Sequence, residues 1–290
     1  MMDARLKAIL GAYLGWVMDG YDALLVVPIL PVLGQEFFPG EYAYLGGLST
    51  LVATLVMRPA GAVVMGYVGD KLGRRIGLLI TTLGYSLTAL LIAATPSYAQ
   101  IGALAPAVVL ALRAAQGLFL GGEWGPGTAL IMEWSRWRGE VASAFAQTGY
   151  PLGVVAANLV YSAFSAAGAL GGAGWRLYMA TGAAAALLAF VVRSRSVESP
   201  AWRRPRANPL ALLFGAKSAD LAKAVVMTTG LFLVYYSTYL IYPTFLEYLK
   251  LKALAPSVMF HSTAAAAAAV FLGGALAALV GATPVFLGSL

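Results

Sequence analysis

The chain is a succession of apolar segments, each about as long as a bilayer is thick, and that pattern leaves few folds open to it. A helix rises 1.5 Å per residue, so about 20 mostly apolar residues cross a hydrocarbon core of about 30 Å. Eight segments meet this criterion: Ala8–Leu33, Tyr44–Val68, Ile76–Ala94, Ala105–Met132, Val141–Phe164, Leu177–Val192, Leu221–Leu246 and Pro256–Ala282. Inside a bilayer each backbone polar group needs an internal partner, and segments of this length obtain one as helices. The first carries two aspartates and no clear small-residue cleavage site, so it reads as a retained helix rather than a leader. An all-α integral membrane protein is therefore expected. Charged residues make up 11% of the chain, against about 25% in a soluble domain.

Several functions are excluded by residue supply. There is no cysteine, which removes disulfides, thiolate metal sites and thiol catalysis. His261 is the one histidine, so no metal or haem site is built on several histidines. No nucleophile–histidine pair, paired-acid metal site or phosphate loop is present, and neither an enzyme nor a cofactor is expected. The net charge of +7 sits in short loops between apolar runs rather than on a nucleic-acid-binding face.

Those loop charges set an orientation through the positive-inside rule. With the N-terminus in the cytoplasm, 14 of the 19 Lys and Arg residues fall on the inner side, at inner segments or span ends that include Arg193. Three (Arg176, Lys250 and Lys252) fall outside, and Arg58 and Arg113 lie within spans. The expected organisation is a six-helix half over 1–192, a basic cytoplasmic linker over 193–220 and a partial second half of two helices over 221–290.

At the turn after the second span the sequence reads Gly66-Tyr-Val-Gly-Asp70-Lys71-Leu-Gly73-Arg74-Arg75. The glycines suit a tight turn and close helix approach, and Asp70 is placed to pair with its basic neighbours. A second motif runs Arg113-Ala-Ala-Gln116-Gly117-Leu-Phe-Leu-Gly121-Gly122-Glu123-Trp124-Gly125, and a third Glu133-Trp-Ser-Arg-Trp-Arg138-Gly139. Shorter matches are Arg58-Pro59, Gly149-Tyr-Pro151-Leu-Gly153, Trp175-Arg176 and Glu198-Ser-Pro200-Ala-Trp202. Together these resemble the major facilitator superfamily of secondary transporters. With Gly15-Trp16-Val-Met-Asp19-Gly20-Tyr21-Asp22, they are similar to its sialate, lactate and related carboxylate:proton symporters.

The resemblance implies two six-helix halves in the plasma (inner) membrane, a small organic anion and protons as partners, and the lipid bilayer as solvent. It also implies four further spans beyond the eight, from a longer chain, a separate one, or lost. Where the subgroup often carries Gln-Asp in the seventh span, this chain has Tyr239-Leu240. Tyr236 and Tyr239 are candidates for the cavity wall.

An ionisable group inside a span is costly and marks a functional candidate. Asp19 and Asp22 share one face of the first helix at i,i+3 spacing, with Asp19 roughly 16 Å in from Ala8. Arg58 lies in the second span, and Arg113, Gln116 and Glu123 fall on one stripe of the fourth. Related transporters pair a first-helix aspartate with the Arg113 equivalent. A direct Asp22–Arg113 pair is therefore expected, in which protonating Asp22 releases Arg113 to hold a substrate carboxylate; Glu123 is a second proton-carrier candidate. The alternative is that these are structural pairs fixing helix register. Glu133 joins Arg74 and Arg75 as an inner gate lock or else anchors loops. Rival functions are a membrane protein that does not transport and a facilitator for neutral solutes such as sugars or osmolytes.

Overall fold

The computed structural model describes residues 3–135, 138–203, 208–230, 233, 249 and 255–281. Every regular element among them is helical. Helix α1 (Ala4–Val26) is capped by Asp3, whose carboxylate accepts from the Arg5 N–H. It passes through a 3-10 turn at Val27–Ile29 into α2 (Leu30–Phe37). Pro28 and Pro31 sit at the two starts, where a missing N–H is tolerated. Helices α3 (Ala43–Leu72) and α4 (Arg74–Ala94) follow, then a single turn α5 (Tyr98–Ile101). The next span is broken into α6 (Leu104–Gly121) and α7 (Trp124–Trp134). It is followed by α8 (Gly139–Ala166), α9 (Gly174–Ser194), a short α10 (Pro209–Phe214), residues 218–230 as α11, and α12 (Ala255–Val280).

Among the described residues, six stretches are long and apolar enough to cross a membrane: Ala4–Phe37, Gly40–Leu72, Arg74–Ala94, Leu104–Trp134, Gly174–Ser194 and Phe260–Val280. With the 28-residue α8, helices stand at seven of the eight expected spans. The expected span Leu221–Leu246 is helical as far as residue 230, and most of the rest lies outside the described residues.

The packing is pairwise. Helix α1 lies against α8, α9 and α7, α3 against α6, α4 against α9, and α12 against α8. Small residues bring backbones together, as expected where lipid supplies no hydrophobic drive. A Cβ added at Gly117 or Gly121 would stand 2.8 Å from the backbone carbonyl carbon of Thr54 or Arg58 on α3. One apolar core gathers Leu25, Leu33, Phe37, Trp175 and Tyr178, and a second gathers Trp16, Leu78, Leu130, Ile131 and Ala146. Val56, Leu87, Leu159 and Leu188 point outward and more than half exposed, the surface a lipid-facing bundle needs.

The expected boundaries move where they matter. Helix α9 begins at Gly174 and runs to Ser194, which takes Trp175, Arg176 and Arg193 into the helix. Among the described residues nothing lies within 4 Å of a Cβ placed on Gly66, so it supports no close helix approach there, contrary to expectation. Gly69 and Gly77 do so instead, since a Cβ on Gly77 would lie 3.1 Å from the Gly69 Cα.

Candidate functional site

Among the described residues, three polar clusters lie in the interior of the first six spans. The first joins α1, α3 and α7. Arg58 Nη2 lies 2.9 Å from Asp19 Oδ1, and its Nη1 donates to Oδ2 at 3.5 Å. The Trp124 indole N–H donates to the same Oδ2 at 2.6 Å. Trp124 stacks at a tilt on Trp16, ring centroids 4.9 Å apart.

The second cluster joins α1, α4 and α6. Asp22 Oδ1 accepts from the Gln116 amide at 3.2 Å and from the Tyr85 hydroxyl at 3.3 Å. The Gln116 carbonyl oxygen in turn accepts from Arg113 Nη1 at 2.5 Å. Arg113 Nε donates to the Thr50 carbonyl at 3.1 Å, and its own carbonyl accepts from the Thr54 hydroxyl at 3.1 Å. The expected direct pair between Asp22 and Arg113 is therefore absent: the Gln116 amide stands between them, its donor toward the acid and its acceptor toward the base. All three side chains are at most 2% exposed.

The third cluster was not foreseen. Helix α6 stops at Gly121, and this break separates Glu123 from the Arg113–Gln116 stripe. Glu123 faces α4 and α9, where Arg193 Nη2 meets Oε2 at 2.6 Å and Nη1 meets Oε1 at 2.8 Å. The hydroxyl of Thr81 donates to the same carboxylate, and Thr82 accepts from Arg193. Arg193 Nε donates to the Gly11 carbonyl at 2.7 Å. A Cβ on Gly15 would sit 2.8 Å from Arg193 Cζ, and one on Gly11 3.2 Å from its Cγ. The Gly11-x3-Gly15 pair, which reads as a helix-packing motif, is the groove that admits the guanidinium.

At the end of the bundle carrying the Gly66–Arg75 turn, Asp70 pairs with Arg74. Gly73 has φ +115°, a conformation that favours glycine, and it opens α4 toward Glu198. The Glu198 carboxylate accepts from the Arg74 N–H at 3.0 Å and the Arg75 N–H at 3.1 Å, capping the helix N-terminus. Trp202 donates its indole N–H to the Asp70 carbonyl at 3.1 Å, and Arg75 reaches the Ser194 carbonyl at 2.6 Å. Lys71 sits 5.9 Å over the Tyr67 ring. Glu133 lines a cavity of about 350 Å³ with Asp70, Arg74, Trp202 and Arg203, but among the described residues its buried Oε2 accepts no hydrogen bond. Arg138 lies 3.8 Å from Glu140 and donates to the Ala278 carbonyl on α12. At the opposite end Arg176 holds Glu36 at 2.6 Å and caps the end of α4 through the carbonyls of Ala93 and Thr95. Tyr236 and Tyr239 lie outside the described residues.

A multi-pass helical bundle whose interior carries acid–base pairs rather than a reactive centre has the build of a membrane transporter. The model of the Major Facilitator Superfamily matches residues 10–290, and the chain belongs to that family. It is 36% identical over 165 residues to a shikimate transporter of Escherichia coli, covering 55% of this chain and 37% of that protein. It is 33% identical over 211 residues to a glycine betaine/proline/ectoine/pipecolic acid transporter of Dickeya dadantii, covering 70% and 42%. The chain thus spans less than half the length of these relatives. Among solved structures, the xylose transporter of E. coli in a partially occluded inward-open conformation matches with TM-score 0.63 at 19% identity. That match covers 96% of this chain and 71% of the transporter, and it carries the likeness of fold.

Proposed function

We propose that the protein is a proton-coupled symporter of a small organic anion, working by alternating access in the plasma (inner) membrane with its N-terminus cytoplasmic. The observation that carries the reading is the hydrogen-bonded line Asp22–Gln116–Arg113. An ionised Asp22 accepts from the Gln116 amide; a protonated one accepts poorly and needs an acceptor for its own proton. The amide that answers this change also holds Arg113, so the proton state of an acid on α1 is felt by a base on α6. An amide relay replaces direct charge pairing, and the base also donates to the Thr50 carbonyl. A relative named as a transporter of shikimate, a carboxylate anion at neutral pH, supports the anion side of the reading, whereas one named for betaine and proline handles zwitterions.

The test is uptake by the protein purified from its own membranes and reconstituted in proteoliposomes. An inward proton gradient should accelerate accumulation of a carboxylate, and a protonophore should abolish the acceleration. Uptake that ignores the gradient would instead mark a facilitator for neutral solutes.

A further inference from the structure

The symport reading above asks Asp22 to gain and lose a proton, yet its carboxylate is buried, so the proton needs a route through the bundle. The charged and titratable groups about Asp22 are Tyr85 on α4, Arg113 behind Gln116 on α6, and the Asp19–Arg58 pair one turn along α1. Tyr85 is the one among them whose neutral hydroxyl already donates to the carboxylate, at 3.3 Å. That hydroxyl stands against α9, since a Cβ on Gly182 would lie 3.0 Å from its oxygen. Helix α9 is also where buried polar atoms lack partners. The Trp175 indole N–H and the Tyr178 hydroxyl, both on residues with 0% exposure, make no hydrogen bond among the described residues.

A buried donor left unpaired costs about 1–3 kcal/mol. Two of them three residues apart on one helix face form an arrangement that ordered water resolves. Further along α9 comes Thr181, whose hydroxyl meets that of Tyr21 at 2.7 Å, and then Gly182 beside Tyr85. In the other direction Trp175 lies in the first turn, next to Arg176 and its partner Glu36, whose side chains are 24% and 27% exposed. From Trp175 to Gly182 is roughly 10 Å along the helix axis. We propose that this face of α9 holds a short file of buried water, seated on Trp175 and Tyr178, which carries the proton from the outer end to Asp22. This rests on the symport reading and deepens it. At the hand-over a hydrated proton bonds to the Tyr85 hydroxyl oxygen while Tyr85 passes its own proton to Asp22 Oδ1. One O–H bond forms and one breaks at the tyrosine, which stays neutral, and Asp22 becomes the neutral acid. The proton thus enters from α9 and α4, and its arrival is felt on α6 through Gln116.

The water is tested first, on the wild-type protein in proteoliposomes, by a brief X-ray pulse followed by peptide mass analysis. Radicals formed from bound water should oxidise Tyr178 and Trp175, although neither meets bulk solvent, and spare Phe37, equally buried in the same core. Unmodified Tyr178 and Trp175, or equal oxidation of Phe37, overturns the water file. The proton role is read in the same vesicles with shikimate and lactate. Tyr178→Phe and Tyr85→Phe should each slow gradient-driven accumulation by about tenfold or more, while counterflow at equal pH persists. Tyr178→Phe gives up no hydrogen bond within the described residues, so its folding is not at stake. Full accumulation by Tyr178→Phe, or loss of accumulation and counterflow together, overturns the route and leaves the symport reading intact. Wild-type protein that accumulates no carboxylate under the gradient removes the symport reading and the proton role together, and the oxidation pattern then still decides the water file.

Discussion

Glu123 and Arg193 meet through two charge-assisted contacts, 2.6 and 2.8 Å long, in a pocket that leaves their side chains 8% and 2% exposed. A buried pair of this kind contributes less to stability than its contacts suggest, but removing one partner strands a charge where no water reaches it. Arg193→Gln or Glu123→Gln should each cost about 3–5 kcal/mol. The double variant should cost less than the sum, because no charge is left unmatched. Thermal unfolding of the detergent-solubilised protein measures all three.

Gly15 is part of the same feature. Its substitution by alanine puts a methyl group into the space of the guanidinium, and overpacking of this order costs about 1–3 kcal/mol. The penalty should shrink by at least about 0.5 kcal/mol in an Arg193→Ala background, where that space is empty. Equal penalties in the two backgrounds would show that Gly15 matters for another reason.

Glu198 holds the first turn of α4 from outside the helix. Glu198→Ala should cost about 1 kcal/mol, in the range of a lost N-terminal cap. Amide exchange should quicken at Arg74 and Arg75 first, while the far end of α4, held by Arg176, should keep its protection.

The proton relay makes a sharper demand. Asp22→Asn has no proton to give up, so gradient-driven accumulation should vanish while solute exchange at equal pH persists. Gln116→Leu leaves the acid but cuts the line to Arg113, and it should weaken the effect of the proton gradient without abolishing binding. Counterflow assays in proteoliposomes separate exchange from accumulation. Asp22→Asn that still accumulates solute against a gradient would exclude Asp22 as the proton carrier.

How far the sequence carries the argument depends on whether the deciding interaction is local. Span length and apolarity are local, and the helices stand where they were expected wherever the chain is described. The buried acids and arginines were also legible, because a charge in an apolar run is conspicuous. Their partners were not. Asp19 and Asp22 share a face of α1 yet turn to different neighbours, since α7 brings Trp124 to one and α4 brings Tyr85 to the other. Arg193 escaped notice because an arginine at a span end reads as a membrane-face anchor. One signal was available: three acids and only two arginines lay within the spans, so a third cation had to come from a span end. The break after Gly121 was the other hidden element, because two adjacent glycines in an apolar run read equally as helix packing.

The Glu123–Arg193 cluster and the Asp22–Gln116–Arg113 line are each tied within the first six spans. An ion pair that forms once, as the chain folds, never has to be pulled apart and rehydrated while the protein works. Whatever motion carries a solute across, the interior of this half can turn as one piece, and its buried charges then exact no fresh hydration cost at each turnover.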